Sequence, residues 1–430
     1  MRGRYFIRVK SLTNTPGYMI VSWQMKMVIS MQTSPFKEAK PILKRLVEHG
    51  HQAYFVGGCV RDMLLDRAIG DVDIATSAKP VEVQQIFEKV IPVGIEHGTV
   101  IVRHQHESYE VTTFRLEGTY SDNRHPDQVE FIQTIEQDLQ RRDFTMNALA
   151  MDIDGNIIDP FNGKQDLKYK RICTVGKAAE RFQEDPLRMI RAVRFVSQLG
   201  FSIEPVTQAN MIKFQQQIKG LAVERITTEI AKMFAGKFIQ QGIDCLRSTG
   251  IYRQLPVMEK YPGILSLLPP SIRPLHSFAE VIALFHIVKP AITIDTWVKH
   301  WKCSNKQKQE AVQLVNAWLH YQSLGLDQWL VYRLDRNYFS GFVRLGKNLK
   351  NPFAISIDDL ERKRKSLPIT SLKELAVNGN DIIQLFPNRQ KGSWIKRYLS
   401  ILERKVVYGT LKNNKNELKE WIIWNPPETN

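Results

Sequence analysis

The 430-residue sequence has no apolar run as long as the ~20 residues that a membrane-spanning helix needs. Its four cysteines, Cys59, Cys173, Cys245 and Cys303, lie far apart. This separation excludes the paired spacing of a zinc site and suits a reducing cytoplasm without disulfides. The sequence shows no internal repeat and no low-complexity tract, which excludes repeat architectures.

Acidic residues are in deficit, with 44 Asp and Glu against 60 Lys and Arg and a formal net charge of +16. Such an excess favours a polyanionic partner, either nucleic acid or an anionic membrane surface. A basic soluble protein without such a partner is the alternative. The length predicts about two to four domains.

The first 30 residues stand apart from the rest. They are basic and hold only a short apolar stretch, and they lack the small-residue cleavage site of a signal peptide. We predict that residues 1–31 are a disordered N-terminal extension, or that the natural start lies at Met25, Met27 or Met31.

Residues 53–65 predict a short strand, a turn at Gly57 and Gly58, and the first turns of a helix. Glycines let the backbone approach a ligand, and free N–H groups at a helix start favour anions such as phosphate. Because a Gly-Gly pair after a strand is more often only a turn, this feature does not define a site alone.

Two carboxylates follow. Asp71 and Asp73 are predicted to lie on one strand with their side chains on the same face. Adjacent acids repel each other, and oxygen ligands of this kind suit Mg²⁺. An Asp-x-Asp pair is more often a solvated loop or a cap, but here it follows a phosphate-type turn, and the two together outline a site for phosphoryl or nucleotidyl transfer.

The neighbouring sequence mixes strands and helices, and a β-hairpin is predicted at 98–103 and 109–115. Glu110 on its second strand is the best candidate for a third carboxylate, because this strand is expected to pair near that of Asp71 and Asp73; a surface glutamate is the alternative. Residues 117–128 predict a flexible loop. Beyond residue 170 the pattern is almost wholly helical.

Arg141 and Arg142 precede residues 143–150, which predict a helix with an acidic start. Paired arginines can bind a phosphate through bidentate hydrogen bonds. A solvated basic turn is the commoner interpretation of such a pair.

A further helix is predicted to begin at Pro186. Arg188, Arg191 and Arg194 share one of its faces, and they repel one another unless an anion or acids lie across from them. The side chains of Asp185 and Arg188 also match the Watson–Crick edge of a base in their donors and acceptors. An amphipathic helix with a charged flank is the alternative.

These blocks together resemble the tRNA nucleotidyltransferase and poly(A) polymerase family. The last of them resembles the nucleobase-selecting motif of class II CCA-adding enzymes, and residues 366–382 resemble the tail of their bacterial, Bacillus-like type. The matching blocks are Gly-Gly-x-Val-Arg-Asp at 57–62, Gly-Asp-x-Asp at 70–73, Arg-Arg-Asp-Phe-Thr-x-Asn-Ala at 141–148 and Glu-Asp-x-x-Arg at 184–188.

The resemblance implies an α/β nucleotidyltransferase head, with a mixed, largely antiparallel sheet and helices, followed by an all-α neck, body and tail. The later helical half holds no His-Asp phosphohydrolase signature. The expected boundaries are 32–172 for the head, 173–240 for the base-selecting neck, 241–350 for the helical body and 351–430 for a tRNA-binding tail.

It also implies roles for the site residues. Asp71 and Asp73 would be catalytic and hold Mg²⁺, and Glu110 would be a further catalytic carboxylate. The residues expected to bind ATP or CTP are Gly58, Arg61 and Arg142 at the triphosphate and sugar, Asp185 and Arg188 at the base, and Arg191 and Arg194 beside them.

The implied reaction is template-independent addition of CCA to the 3′ end of tRNA from CTP and ATP, with release of pyrophosphate. A bacterial poly(A) polymerase, an A-only or CC-only adding enzyme and a catalytically silent RNA-binding protein stay open as alternatives. The absence of a long basic extension after residue 425 argues against the first, and intact Asp71 and Asp73 argue against the last.

The expected partners are tRNA, ATP and CTP and no membrane, and the expected location is the cytoplasm; a homodimer is left open. Basic residues at 362–365 and 389–398, some with aromatics between them, are expected to contact the RNA backbone. A solvated helix face is the alternative for both segments.

Overall fold

A computed structural model describes residues 35–117 and 129–426. The predictions for residues 1–31 and for nearly all of the 117–128 loop lie outside them. The described residues form two compact units, one with 35–117 and 129–168 and the other with 169–426. The finer division into neck, body and tail stays a prediction. Among the described helices, none is both long enough and apolar enough to cross a bilayer.

The first unit contains a seven-stranded sheet in the order β3-β4-β5-β2-β1-β8-β9. A separate two-stranded sheet is formed by β6 (Arg115–Glu117) and β7 (Val129–Phe131). The strands of the larger sheet are β1 (Ala53–Val56), β2 (Asp73–Thr76), β3 (Val90–Gly94), β4 (Thr99–His104), β5 (Glu107–Thr113), β8 (Ala150–Met151) and β9 (Ile157–Ile158).

Only β2 and β5 pair in parallel within this described sheet, and every other neighbouring pair is antiparallel. This confirms the predicted mixed, largely antiparallel sheet. The predicted hairpin is β4 and β5. Its turn residues Gln105 and His106 have φ of 48° and 70°, as a two-residue turn that follows the strand twist requires.

Five helices accompany the sheet within residues 35–117 and 129–169. The first has its apolar residues three and four positions apart and buries Phe36, Ala39, Ile42, Leu43 and Leu46. The helices are α1 (Pro35–Glu48), α2 (Gly58–Leu64), α3 (Pro80–Ile86), α4 (Ile135–Gln140) and α5 (Gly163–Tyr169).

Two local predictions are wrong. Residues 143–150 form only a short 3₁₀ turn, Thr145–Asn147, before β8. Phe144, Met146, Ala148 and Leu149 are all fully buried, so this segment has no polar face of the kind that an amphipathic helix presents to solvent. Strand β2 begins at Asp73, so Asp71 precedes it.

The second unit is almost wholly helical, as predicted; its described strands are only β10 (Arg171–Ile172) and β11 (Ser202–Ile203). Within it, α7 packs against α9 and α10. The helices are α6 (Ala178–Glu184), α7 (Leu187–Leu199), α8 (Pro205–Phe214), α9 (Val223–Phe234), α10 (Ile239–Thr249), α11 (Phe278–Val288), α12 (Ile294–His300), α13 (Asn305–Leu324), α14 (Gln328–Arg333), α15 (Phe339–Leu349), α16 (Ile357–Lys365), α17 (Gly379–Leu385), α18 (Ser393–Val407) and α19 (Lys415–Trp424).

Candidate active site

Three carboxylates lie at or near the start of β2. Asp73 is the register partner of Glu110 on the parallel strand β5, so both side chains lie on one face of the sheet. Asp71 lies just before the strand, and its negative charge raises the pKa of Asp73. The predicted pairing of the Glu110 strand with the aspartate strand is therefore confirmed.

The environment of Asp73 disfavours its ionised form. Burial is the largest cause and the negative charges of Glu110 and Asp71 act in the same direction, while Arg142 opposes them; together they raise the pKa of Asp73 to about 6. A cation bound at these acids would favour the ionised form again.

The carboxylates fit Mg²⁺ better than a metal held by protein ligands alone. Within residues 35–117 and 129–426, no three His, Cys, Asp or Glu side chains are grouped closely enough to hold a metal ion by themselves. Mg²⁺ takes one or two protein carboxylates and completes its shell with water and substrate phosphates. Asp71 and Asp73 provide such a pair.

The turn beside these acids requires glycine at position 57. Gly57 has φ of +73°, and a Cβ atom there would lie 2.9 Å from Nη1 of Arg142. The Nε atom of Arg142 is buried and has no hydrogen-bond partner among the described residues. Buried donors are normally satisfied, and an anion such as a phosphate is the kind of partner that would satisfy this N–H.

Asp138 holds both arginines of the predicted pair. Its carboxylate is 1% exposed and accepts Nε of Arg141 at 3.0 Å and Nη2 of Arg142 at 3.2 Å. Burial alone would raise the pKa of Asp138, but the two guanidinium groups lower it. Sequence reasoning missed this residue. Arg141 follows Asp138 by three positions and Arg142 by four, which are the spacings at which side chains meet on a helix.

Arg61 connects two of the sequence blocks. It donates to Oδ1 of Asp62 at 3.0 Å and to Oδ1 of Asn147 at 2.7 Å. Asn147 in turn donates to Asp143 at 3.0 Å. The structure thus brings the Gly-Gly block and the Arg-Arg block together, with Arg61 engaged by protein acceptors.

In the second unit, the predicted base-selecting residues lie at the start of α7. Oδ1 of Asp185 accepts the backbone N–H of Leu187 at 3.0 Å, and Oδ2 accepts Nη2 of Arg225 at 2.8 Å. Nη1 of Arg188 donates to Glu184 at 2.6 Å, and the arginine is 7% exposed. Both side chains are therefore held in one orientation by protein partners.

One acid, Glu229, lies across from the other two arginines of α7. Glu229, itself buried, lies 3.9 Å from Arg191 and 3.0 Å from Arg194. The closer contact is an ion pair and not an aligned hydrogen bond. Arg225 and Glu229 are one turn apart on α9, and sequence reasoning missed them because their partners lie far away along the chain.

A mixed sheet with an acid pair at the start of one strand, next to a glycine turn, is the head of a nucleotidyltransferase. The family described as Poly A polymerase head domain matches residues 53–173, and tRNA nucleotidyltransferase domain 2 matches residues 275–422.

Relatives cover nearly the whole chain. It is 48% identical to the CCA-adding enzyme of Oceanobacillus iheyensis over 406 residues, which are 93% of this chain and 100% of that protein. It is 40% identical to the CCA-adding enzyme of Bacillus subtilis, over 90% of this chain and 98% of that one. The chain belongs to the CCA-adding enzymes, a family of tRNA nucleotidyltransferases.

A solved structure has the same fold. The crystal structure of the Bacillus stearothermophilus CCA-adding enzyme in complex with CTP superposes with a TM-score of 0.81 at 38% identity, over 91% of this chain and 97% of that one. This agrees with the fold class and the enzyme class expected from the sequence.

Proposed function

We propose that this protein adds CMP, CMP and AMP in turn to the 3′ end of tRNA, using CTP and ATP without a nucleic-acid template. One structural observation supports the transfer step above all: Asp73 lies beside Glu110 in register on adjacent strands, with Asp71 next to them. The choice of tRNA is supported by the CCA-adding relatives at 40–48% identity.

The chemistry is an in-line displacement at phosphorus. The 3′-hydroxyl oxygen of the RNA forms a bond to the α-phosphorus, and the bond from that phosphorus to the bridging oxygen of pyrophosphate breaks. Asp71 and Asp73 would hold Mg²⁺, which when bound neutralises triphosphate charge and favours ionisation of the attacking hydroxyl. Glu110 adds negative charge on the same face of the sheet.

The chain's other residues bind and orient the nucleotide. The free Nε–H of Arg142 is a donor for a phosphate oxygen, and the turn at Gly57 and Gly58 brings the backbone close to it. Asp185 offers acceptors, and Arg188 a fork of donors, to the edge of the incoming base. Their fixed partners limit which base they can match.

The test is nucleotide incorporation into tRNA that lacks its 3′ CCA. We expect CTP alone to add two residues and the CTP and ATP mixture to complete CCA. A long product from ATP alone would identify a poly(A) polymerase, and a product with only A or only CC would identify a partial enzyme. Replacing Asp71 and Asp73 with Ala should abolish incorporation and leave tRNA affinity nearly unchanged.

We place the reaction in the cytoplasm, which agrees with four cysteines that form no disulfide among the described residues. A homodimer stays a prediction. Light scattering on the purified protein, with and without tRNA, measures its mass and tests that prediction directly.

A further inference from the structure

The basic segments predicted to contact RNA are partly engaged within the protein. Arg362 forms an ion pair with Asp359, and Nη1 of Arg364 donates to the carbonyl of Val331 at 3.0 Å. Two further exposed arginines, Arg333 on α14 and Arg404 on α18, lie outside these segments and form no ion pair with an acid among the described residues.

We call this surface the Trp329 cluster; it consists of Trp329, Arg333, Arg404 and Tyr408. The guanidinium carbon of Arg333 lies 5.8 Å from the centre of the Trp329 ring, and that of Arg404 lies 5.7 Å from it. Both arginines are exposed. Neither has a carboxylate within ion-pair distance in the part of the chain that the structure describes.

The rings under these cations are held firmly. Trp329 stacks on Tyr332 and Tyr408, with interplanar angles of 23° and 22°. The hydroxyl of Tyr408 donates to Oδ2 of Asp327 at 2.7 Å, and the other oxygen of Asp327 lies 2.8 Å from Nε2 of His320. Asp327 is therefore engaged by other groups.

The second acid near the rings is engaged as well. Glu403, which is buried, accepts a hydrogen bond from the hydroxyl group of Tyr332. The two exposed guanidinium groups thus keep their full charge while the aromatic faces restrict their motion. A cation over an aromatic face is ordered before it binds, so it loses less freedom when an anion arrives.

We propose that the Trp329 cluster binds the phosphodiester backbone of a folded RNA, with one phosphate at each guanidinium. Arginine presents a planar fork that matches a phosphate in two parallel hydrogen bonds. Because both arginines lie within 5.8 Å of one ring centre, they reach phosphates of a single short stretch of backbone. The proposal rests on the proposed function, in which tRNA is the substrate.

The test measures the affinity of the full-length protein for a tRNA transcript lacking CCA, at several salt concentrations. We expect Arg333→Gln with Arg404→Gln to weaken binding about tenfold and to lower the slope of log affinity against log salt by roughly 1 to 2, since each phosphate contact contributes about 0.7–0.9. The corresponding pair of lysine substitutions should keep most of that slope and lose part of the affinity.

A matched control is Arg336→Gln, a nearby exposed arginine that is already paired with Glu361 at 2.6 Å. It should leave tRNA affinity unchanged, and CTP affinity should be unchanged in every variant. Unaltered tRNA binding by the double glutamine variant would overturn the proposal. So would an equal loss of CTP binding, or the same loss in the Arg336 control.

Failure here is distinguishable from failure of the proposed function. A double variant that binds tRNA like the wild type and still completes CCA would refute only the cluster's role. Wild-type protein that binds tRNA but incorporates no nucleotide would refute only the proposed reaction.

Discussion

Arg225 donates a hydrogen bond from Nη2 to Oδ2 of Asp185 at 2.8 Å, across 40 positions of the chain. The acid that we propose to match the incoming base is thus oriented by a residue of a neighbouring helix, α9. Arg225 is a positioning residue in this proposal, because it acts through Asp185.

We expect Arg225→Gln to reduce discrimination between CTP and ATP roughly tenfold, the factor that about 1.4 kcal/mol produces. The loss of a charge-assisted hydrogen bond leaves Asp185 free to rotate. Sequencing of the added nucleotides at each position measures the change. Arg225→Lys should recover part of the fidelity; a variant that is slower but equally accurate would contradict this role.

Glu229 pairs with Arg194 on α7 at 3.0 Å and lies 3.9 Å from Arg191. We expect Glu229→Gln to raise the KM for CTP and ATP and to lower the free energy of unfolding by about 1–3 kcal/mol, because buried positive charge loses its partner. The matched control is Glu224→Gln on the same helix, where the acid is exposed and pairs with Lys302 at 3.1 Å. Steady-state kinetics and urea unfolding measure both effects, and equal results for the two variants would refute the assignment.

Gly57 lies in the left-handed region of φ beneath Arg142. We expect Gly57→Ala to lower the free energy of unfolding by about 1–2 kcal/mol, because a Cβ atom is strained at this φ and presses on the guanidinium. Gly58→Ala is the stability control, since its Cβ would lie 3.8 Å from Nη2 of Arg61 and meet no closer atom. A Gly57 variant as stable as the Gly58 variant would show that the turn tolerates a side chain.

The raised pKa of Asp73 predicts a pH-dependent stability in metal-free protein. The folded state binds this proton more tightly than the unfolded chain, since burial and the neighbouring charge of Glu110 raise the pKa from 3.8 to about 6. The resulting stability is complete below pH 4 and is lost as pH rises through 6.

Asp73→Asn removes this ionisation. In EDTA above pH 6 we expect the variant to be more stable than the wild type by on the order of 1–2 kcal/mol, with no gain below pH 4. Mg²⁺ should then stabilise the wild type and not the variant. Urea unfolding at three pH values measures the difference, and a destabilised variant at pH 7 would contradict the expectation.

Cys59 lies in the first turn of α2 but should be chemically inert. Burial raises the pKa of its thiol to about 12, and the thiol donates to the carbonyl of Val56 at 3.2 Å. Since the thiolate is the reactive form, iodoacetamide at pH 8 should leave Cys59 unmodified in the folded enzyme and modify it in urea. Mass spectrometry of the peptide that contains Cys59 measures the extent of labelling. Rapid labelling with loss of activity would refute the prediction.

The local parts of the site could be predicted from the sequence because neighbouring residues determine them. The strand at 53–56, the Gly57 turn and the helix that follows depend on short-range patterns. The position of Glu110 beside Asp73 could also be predicted, since a hairpin of β-branched residues predicts a strand near the acid pair.

The rest depends on contacts that no local pattern records. Residues 143–150 are predicted to be a helix with an acidic start, but Phe144 and Met146 are fully buried and the segment forms only a 3₁₀ turn before β8. The partners of Asp185 and Arg194 come from a helix far along the chain. The unpaired charge of Arg404 could be recognised only when the acids nearby were seen to be engaged.

The parallel pairing of β2 and β5 has a consequence for how the enzyme matures. Parallel neighbours cannot be joined by a tight turn, so α3, β3 and β4 form the crossover between Asp73 and Glu110. The pairing of Glu110 with Asp73 should therefore form late in refolding, when that crossover closes.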